Sequence, residues 1–163
     1  MGARESFVRV MAQLAGGAVI VTAKDADGAP RGLTTTAVCS VSAEPPLLLA
    51  CVARSSRTVP ALTAGGAFAV NVLGSSHLDV CRTFASKAED KFAGVEWREG
   101  VLGQPLLDDA AIAWAECEVE QIVEAGDHLI FIGAFRHGEV ASAAADPIVH
   151  YQRSFGRWNE IEE

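Results

Sequence analysis

The apolar positions of this chain fall into short blocks whose spacing changes from helical to strand-like within the first two dozen residues. In residues 6–15 they stand at Phe7, Val8, Val10, Met11, Leu14 and Ala15, the spacing of one helix face, and Gly16-Gly17 ends the pattern. Ala18-Val19-Ile20-Val21-Thr22-Ala23 is short, β-branched and apolar, which predicts a buried strand. Asp25-Ala26-Asp27-Gly28 predicts a reversing turn, with residues 31–36 as the returning strand. The break Glu44-Pro45-Pro46 forbids helix, and residues 47–52 form the next buried strand. A short helix is predicted over 56–63, stopped by Gly65-Gly66, then a strand over 67–73, a helix of mixed charge over 76–92 and a loop over 94–105.

The clearest alternation comes later. Ala113, Ala115, Cys117, Val119 and Val123 alternate with Trp114, Glu116, Glu118, Glu120 and Glu124, which predicts a strand with one dry and one mostly wet face. Ala125-Gly126-Asp127 turns the chain, and residues 128–135 run back as a buried strand, completing an antiparallel hairpin. Many short strands, hairpin turns and only peripheral helices predict a mainly β antiparallel barrel. A doubly wound dinucleotide fold would alternate strands with long helices, and that pattern is missing. No internal repeat, linker or low-complexity tract interrupts the chain, so all of residues 1–163 read as one domain.

Length and composition narrow this picture. A chain of 163 residues can bury roughly two-thirds of the surface its unfolded form exposes, enough for one real core. No apolar run approaches the ~20 residues of a membrane helix. Glu5 and Arg9 interrupt the apolar pattern of the first helix, unlike a secretory leader, so a soluble cytoplasmic protein is expected. The formal charge of −8 argues against a nucleic-acid surface. Nine acids and the single Arg136 lie between Val101 and Val149, whereas Arg54, Arg57, Arg82, Lys87 and Lys91 cluster earlier. A phosphate-bearing ligand is therefore expected against the middle of the chain. The four cysteines (Cys39, Cys51, Cys81, Cys117) form no CxxC pair and lie in apolar surroundings, so they read as small hydrophobes. No metal site is expected, because His77, His137 and His150 share no ligand spacing.

The chain has no GxGxxG after a strand, no GxxxxGK[ST], no HExxH and no GxSxG, which argues against P-loop and α/β-hydrolase chemistry. Three segments remain. Residues 31–42, RGLTTTAVCSVS, crowd small hydroxyl residues between two strands, where they can offer donors to a planar heteroaromatic ligand or serve as a Thr-rich strand and turn. Residues 51–58, CVARSSRT, lead a strand into a helix start with Ser55 or Ser56 as N-cap; flanking arginines suit a phosphate, and simple capping explains the serines equally well. Gly126-Asp127-His128 sets a histidine at a hairpin mouth, as a ligand contact or an ordinary polar turn residue.

Together GGAVIVTA, RGLTTTAVCSVSAEPPLLLACVARSSRT, FAVNVL, FASKAEDKF with GVEW, and GDHLIFIG make the chain resemble the flavin reductase family, from about Phe7 to Trp158. These are the small reductase components of two-component flavin-dependent monooxygenases. The resemblance implies an FMN-binding split β-barrel, antiparallel and Greek-key-like with a few peripheral helices, that forms a homodimer. It implies that Thr34, Thr35, Thr36 and Ala37 line the isoalloxazine ring, with Cys51 and Val52 flanking it. Ser55 and Ser56 would hold the phosphate, Arg57 or Lys91 would supply charge, and Phe84 and Phe92 would close over the ribityl or adenine side. His128 would meet the nicotinamide nucleotide, together with Tyr151, Arg153 and Phe155 of the closing HYQRSFGRW segment. Many members carry tyrosine where this chain has His150.

The implied activity is NADH- or NADPH-dependent reduction of exchangeable FMN or FAD, serving a separate monooxygenase through diffusible reduced flavin. No catalytic nucleophile or general base is needed: the flavin supplies the redox chemistry and the protein supplies orientation, with reacting atoms about 3–3.5 Å apart. The alternative is a non-catalytic flavin-binding or electron-carrier protein on the same barrel; a structural domain with no flavin site is a third.

Overall fold

The computed structural model describes residues 2–141 and 145–161. In chain order the elements are α1 (Ala3–Met11), β1 (Gly16–Gly17), β2 (Val19–Lys24), β3 (Pro30–Thr35), β4 (Val38–Ala43), β5 (Pro46–Ala53), α2 (Val59–Gly65) and β6 (Ala67–Leu73). A 3-10 turn (Ser75–His77) leads into α3 (Leu78–Ala85), followed by β7 (Arg98–Glu99), β8 (Pro105–Leu106), β9 (Ala111–Ala125), β10 (His128–Val140), β11 (Ile148–Tyr151) and β12 (Ser154–Arg157). The protein is mainly β with few helices, and no helix among the described residues is long and apolar enough to cross a membrane.

Seven strands form the main sheet, in the order β3-β2-β6-β9-β10-β5-β4, with every neighbouring pair antiparallel. The edge strands β3 and β4 are not hydrogen-bonded to each other, so the sheet is open. Yet only Thr36 and Ala37 separate them along the chain. Three Cα steps from Thr35 to Val38 span at most roughly 11 Å, whereas seven flat strands would hold the edges about 29 Å apart. The sheet must curl until its edges nearly meet. Leu33 of β3 and Val38 of β4 accordingly pack against one inner core with Val19, Val21, Val52, Phe68 and Phe131.

A second core lies on the outer face. Ala18, Ile20, Leu73, Cys81, Phe84, Phe92, Leu107 and Ile148 form it, covered by α3 and by the chain that follows it. Strand β2 is therefore buried on both faces, which explains its unbroken apolar run.

Several sequence expectations need correction. The first helix ends at Met11, buries none of its residues and leaves Phe7, Val10 and Met11 exposed, so among the described residues its apolar face is not covered. Helix α2 starts at Val59 with Thr58 as N-cap, so neither Ser55 nor Ser56 caps it. The helix expected through Phe92 stops at Ala85: Ser86 is extended and its hydroxyl donates to the Thr83 carbonyl at 2.7 Å. Residues 38–43 are a full strand rather than a connection, and β11 and β12 form a hairpin that joins β1 in a three-stranded sheet. Cys39 is exposed rather than packed, while Cys81 and Cys117 are buried; all four thiols are free.

The long hairpin of β9 and β10 pairs as expected, but Glu116 does not face water. It is fully buried, and its carboxylate accepts from the backbone N–H groups of Val101 at 2.7 Å, Leu102 at 3.0 Å and Gln104 at 3.3 Å. The alternating pattern recorded which side of the strand Glu116 occupies but not that a loop returns to cover it.

Candidate functional site

Beside the seam between the two sheet edges lies an open cleft of about 1410 Å³. One wall is β3 from Pro30 to Thr34, another the corner from β5 into α2 with Ser55, Ser56 and Arg57, and the third the segment after α3 with Lys91 and Phe92. The cleft thus gathers residues from three separate stretches of sequence.

The walls are built locally. Ser56 Oγ accepts from Thr58 N at 3.3 Å, and Ser56 N donates to the Ala53 carbonyl at 2.9 Å, folding a tight corner that leaves Ser55 exposed. Gly32 lies against Phe84: a Cβ there would sit 2.7 Å from the ring, so glycine lets β3 approach α3. Phe84 is itself fully buried and meets Phe92 edge-on, with ring centroids 4.9 Å apart. These two aromatics form the packed base of a wall.

The cleft is cationic. Arg57 Nη2 donates to the carbonyls of Lys87 at 2.5 Å and Ala88 at 2.8 Å. Lys91 Nζ donates to the carbonyls of Phe84 at 2.8 Å and Gly32 at 3.3 Å. Burial, with repulsion from Arg57 behind it, holds the Lys91 ammonium below the usual lysine range. No carboxylate forms an ion pair with either cation among the described residues, whereas Arg31 and Arg54 are paired with Asp25 and Glu124. Two cations balanced only by carbonyl dipoles, beside the exposed Ser55 and half-buried Ser56, fit a phosphorylated ligand.

The hydroxyl-rich link lies at the seam itself. Thr34 Oγ1 donates to the Cys81 carbonyl at 2.7 Å, and Thr35 Oγ1 accepts from Ala37 N at 3.0 Å, so both hydroxyls shape the backbone. Thr36 and Ala37 are exposed, and the Ala37 carbonyl accepts from Cys51 N at 2.8 Å, which puts Cys51 beside the link as expected. Burial, with Cys39 nearby, raises the Cys51 thiol pKa. Val52 is fully buried in the inner core and presents no side chain to a ligand, because alternate β5 residues face opposite sides of the sheet.

His128 begins β10 directly opposite Ala53, one of the cleft-lining residues. Its Nδ1 is 2.7 Å from Asp127 Oδ1, and this hydrogen bond lowers the Asp127 pKa. Arg54 N donates to the Asp127 carbonyl at 2.9 Å and Arg54 Nε to the Gly126 carbonyl at 3.1 Å, pinning the hairpin tip to the cleft corner. Tyr151, Arg153 and Phe155 do not line the cleft. Phe155 packs on the outer core and against His150, Tyr151 reaches Gln13, and Arg153 borders a separate depression beside α1. Their hairpin nevertheless reaches the seam, since His150 pairs with Gly16, where an added Cβ would come within 3.3 Å of Thr36.

Sequence reasoning missed the pairing of Arg57 with the segment after α3; the run SKAEDK offered no signal beyond its charge. It also missed Gly32, whose position inside a predicted strand was the available hint.

Residues 11–159 match the family model described as the flavin reductase like domain. The chain is 41% identical over 160 residues to the flavin reductase (NADH) of Kitasatospora aureofaciens, covering 98% of this chain and 83% of that protein. It is 51% identical over 117 residues to a probable flavin reductase of Rhizobium meliloti (strain 1021), covering 72% of this chain but only 37% of that longer protein. Among solved structures it resembles nitrilotriacetate monooxygenase component B from Mycobacterium thermoresistibile, with TM-score 0.90 and 30% identity over 96% of this chain and 87% of the other.

Proposed function

This chain belongs to the flavin reductase family, and from that premise we propose that it catalyses NADH- or NADPH-dependent reduction of an exchangeable FMN or FAD. The observation that carries this reading is the cleft where Ser55 and Ser56 meet two cations without carboxylate partners, next to the Thr34–Ala37 link. The serines hold the flavin phosphate with charge from Lys91. Thr34, Thr35, Thr36 and Ala37 border the ring, and their backbone amides face its polar edge. His128, tethered by Asp127, meets the nicotinamide nucleotide, with Tyr151, Arg153 and Phe155 approaching from the neighbouring hairpin.

Flavin and nicotinamide supply the hydride chemistry; the chain's residues bind and orient. That division needs no protein nucleophile, and few contacts let the flavin leave for a separate monooxygenase.

The curled open sheet supports a split β-barrel. Uncovered apolar surface supports a homodimer: Leu49, Cys51, Ile130 and Ile132 are half-buried on the outer face of β5 and β10, and Phe7, Val10 and Leu14 are exposed. A soluble cytoplasmic setting is part of the same proposal. The test is steady-state oxidation of NADH and NADPH with added FMN and FAD in all four combinations. Flavin-dependent turnover is expected. A protein that stays yellow through purification yet turns over neither nucleotide would instead be the non-catalytic flavin carrier, and absence of both properties would end the proposal.

A further inference from the structure

We propose that Arg57 is a positioning residue and not a phosphate ligand: its guanidinium latches the strap of residues 86–93 to the corner between β5 and α2, and flavin enters and leaves when that latch opens. The strap leaves α3 at Ser86 and returns to the outer core at Phe92, with Lys87, Ala88, Glu89 and Asp90 exposed. Its internal shape comes from its own short-range bonds: Ala88 N donates to Ser86 Oγ at 3.1 Å, and Phe92 N and Ala93 N each donate to Asp90 Oδ1 at 3.0 Å. At its far end Lys91 ties it to Phe84 and Gly32.

Among the described residues, the hydrogen bonds between the strap and the β5–α2 corner come from one nitrogen, Arg57 Nη2, which reaches the adjacent carbonyls of Lys87 and Ala88. Both partners line the cleft, so this bridge joins two of its walls. A planar guanidinium holds two neighbouring carbonyls in a fixed geometry that a lysine ammonium does not reproduce. With both Nη2 protons directed at carbonyls, the guanidinium is committed to the strap through that nitrogen, and only Nη1 and Nε keep donors that a phosphate would have to reach. Residues 86–90 are exposed, which places that stretch among segments that open with little cost to the rest of the fold.

The inference rests on the proposed flavin reduction for its kinetic readout but not for its structural one. The variant is Arg57→Lys, which keeps the charge and removes the fork, compared with wild type using FMN and riboflavin, which lacks the phosphate. The expected result is a KM that rises by about the same factor, roughly tenfold, for both flavins, with kcat within about twofold. The second measurement is tryptic cleavage after Lys87, whose carbonyl is a latch acceptor; in folded Arg57→Lys it should accelerate roughly tenfold. A KM that rises for FMN alone would make Arg57 a direct phosphate contact and overturn the proposal. Unchanged cleavage after Lys87 would equally remove the latch. If wild type reduces no flavin, the functional reading fails while the cleavage measurement still decides the latch.

Discussion

Residues 86–93 and residues 94–107 follow one another along the chain and both lie over the outer side of the sheet, yet they are held in opposite ways. The second segment is anchored from the sheet beneath it. Thr22 Oγ1 donates to the Pro105 carbonyl at 2.5 Å, Asn71 Oδ1 accepts from Leu107 N at 2.9 Å, Glu116 accepts three backbone N–H groups, and Leu106 and Leu107 are fully buried. The first segment is exposed over five consecutive residues, and two long cationic side chains reach carbonyls to hold it. Buried hydrogen bonds to a charged group are costly to break, whereas exposed ones exchange readily with water. The difference separates a loop that completes the core from a strap that can give way to a ligand.

The sharpest way to break this comparison is Glu116→Gln. The amide offers a donor where the backbone presents only donors, so the variant should lose about 2–4 kcal/mol of stability, read by thermal or urea unfolding. A loss below about 0.5 kcal/mol would show that the second segment is not anchored as described.

Replacing Ser55 and Ser56 together with alanine should act on the other side of the contrast. Flavin KM is expected to rise about tenfold or more, with stability falling by no more than about 1 kcal/mol, the cost of losing the Ser56 Oγ bond to Thr58 N. Equal loss of stability and affinity would make the corner structural.

Lys91 links the strap to pH. Burial lowers its pKa from 10.5, so its proton is lost at a lower pH than from an exposed lysine. A bound phosphate favours the charged form. The preference for FMN over riboflavin should therefore be full while Lys91 is protonated and decline as pH rises through the lowered pKa, beginning below 10.5. A ratio of the two KM values that stays flat through alkaline pH would remove Lys91 from the phosphate site.

The smallest effect is expected from His128→Ala. The exposed His128–Asp127 pair contributes little to folding, so only the KM for NADH or NADPH should rise, by roughly threefold, with flavin affinity unchanged. Equal weakening of both ligands would place His128 at the flavin and not at the nucleotide.

What the chain's order of residues determined by itself was local: the strand of residues 18–23, the turn at Gly28, the strand ending in Leu73 and the antiparallel hairpin at Gly126 are all present. Periodicity and turn chemistry act between near neighbours, so they are legible without a fold. The clustering of Ser55, Ser56, Arg57 and Lys91 was legible as composition and became a site only when β3, the β5–α2 corner and the strap met. Tertiary structure alone decided that Glu116 is buried, that Val52 faces the inner core and that Phe84 packs against Gly32 and Phe92. Each depends on partners brought from distant positions by the curling of the sheet, and burial is a property of those partners rather than of the residue that is buried.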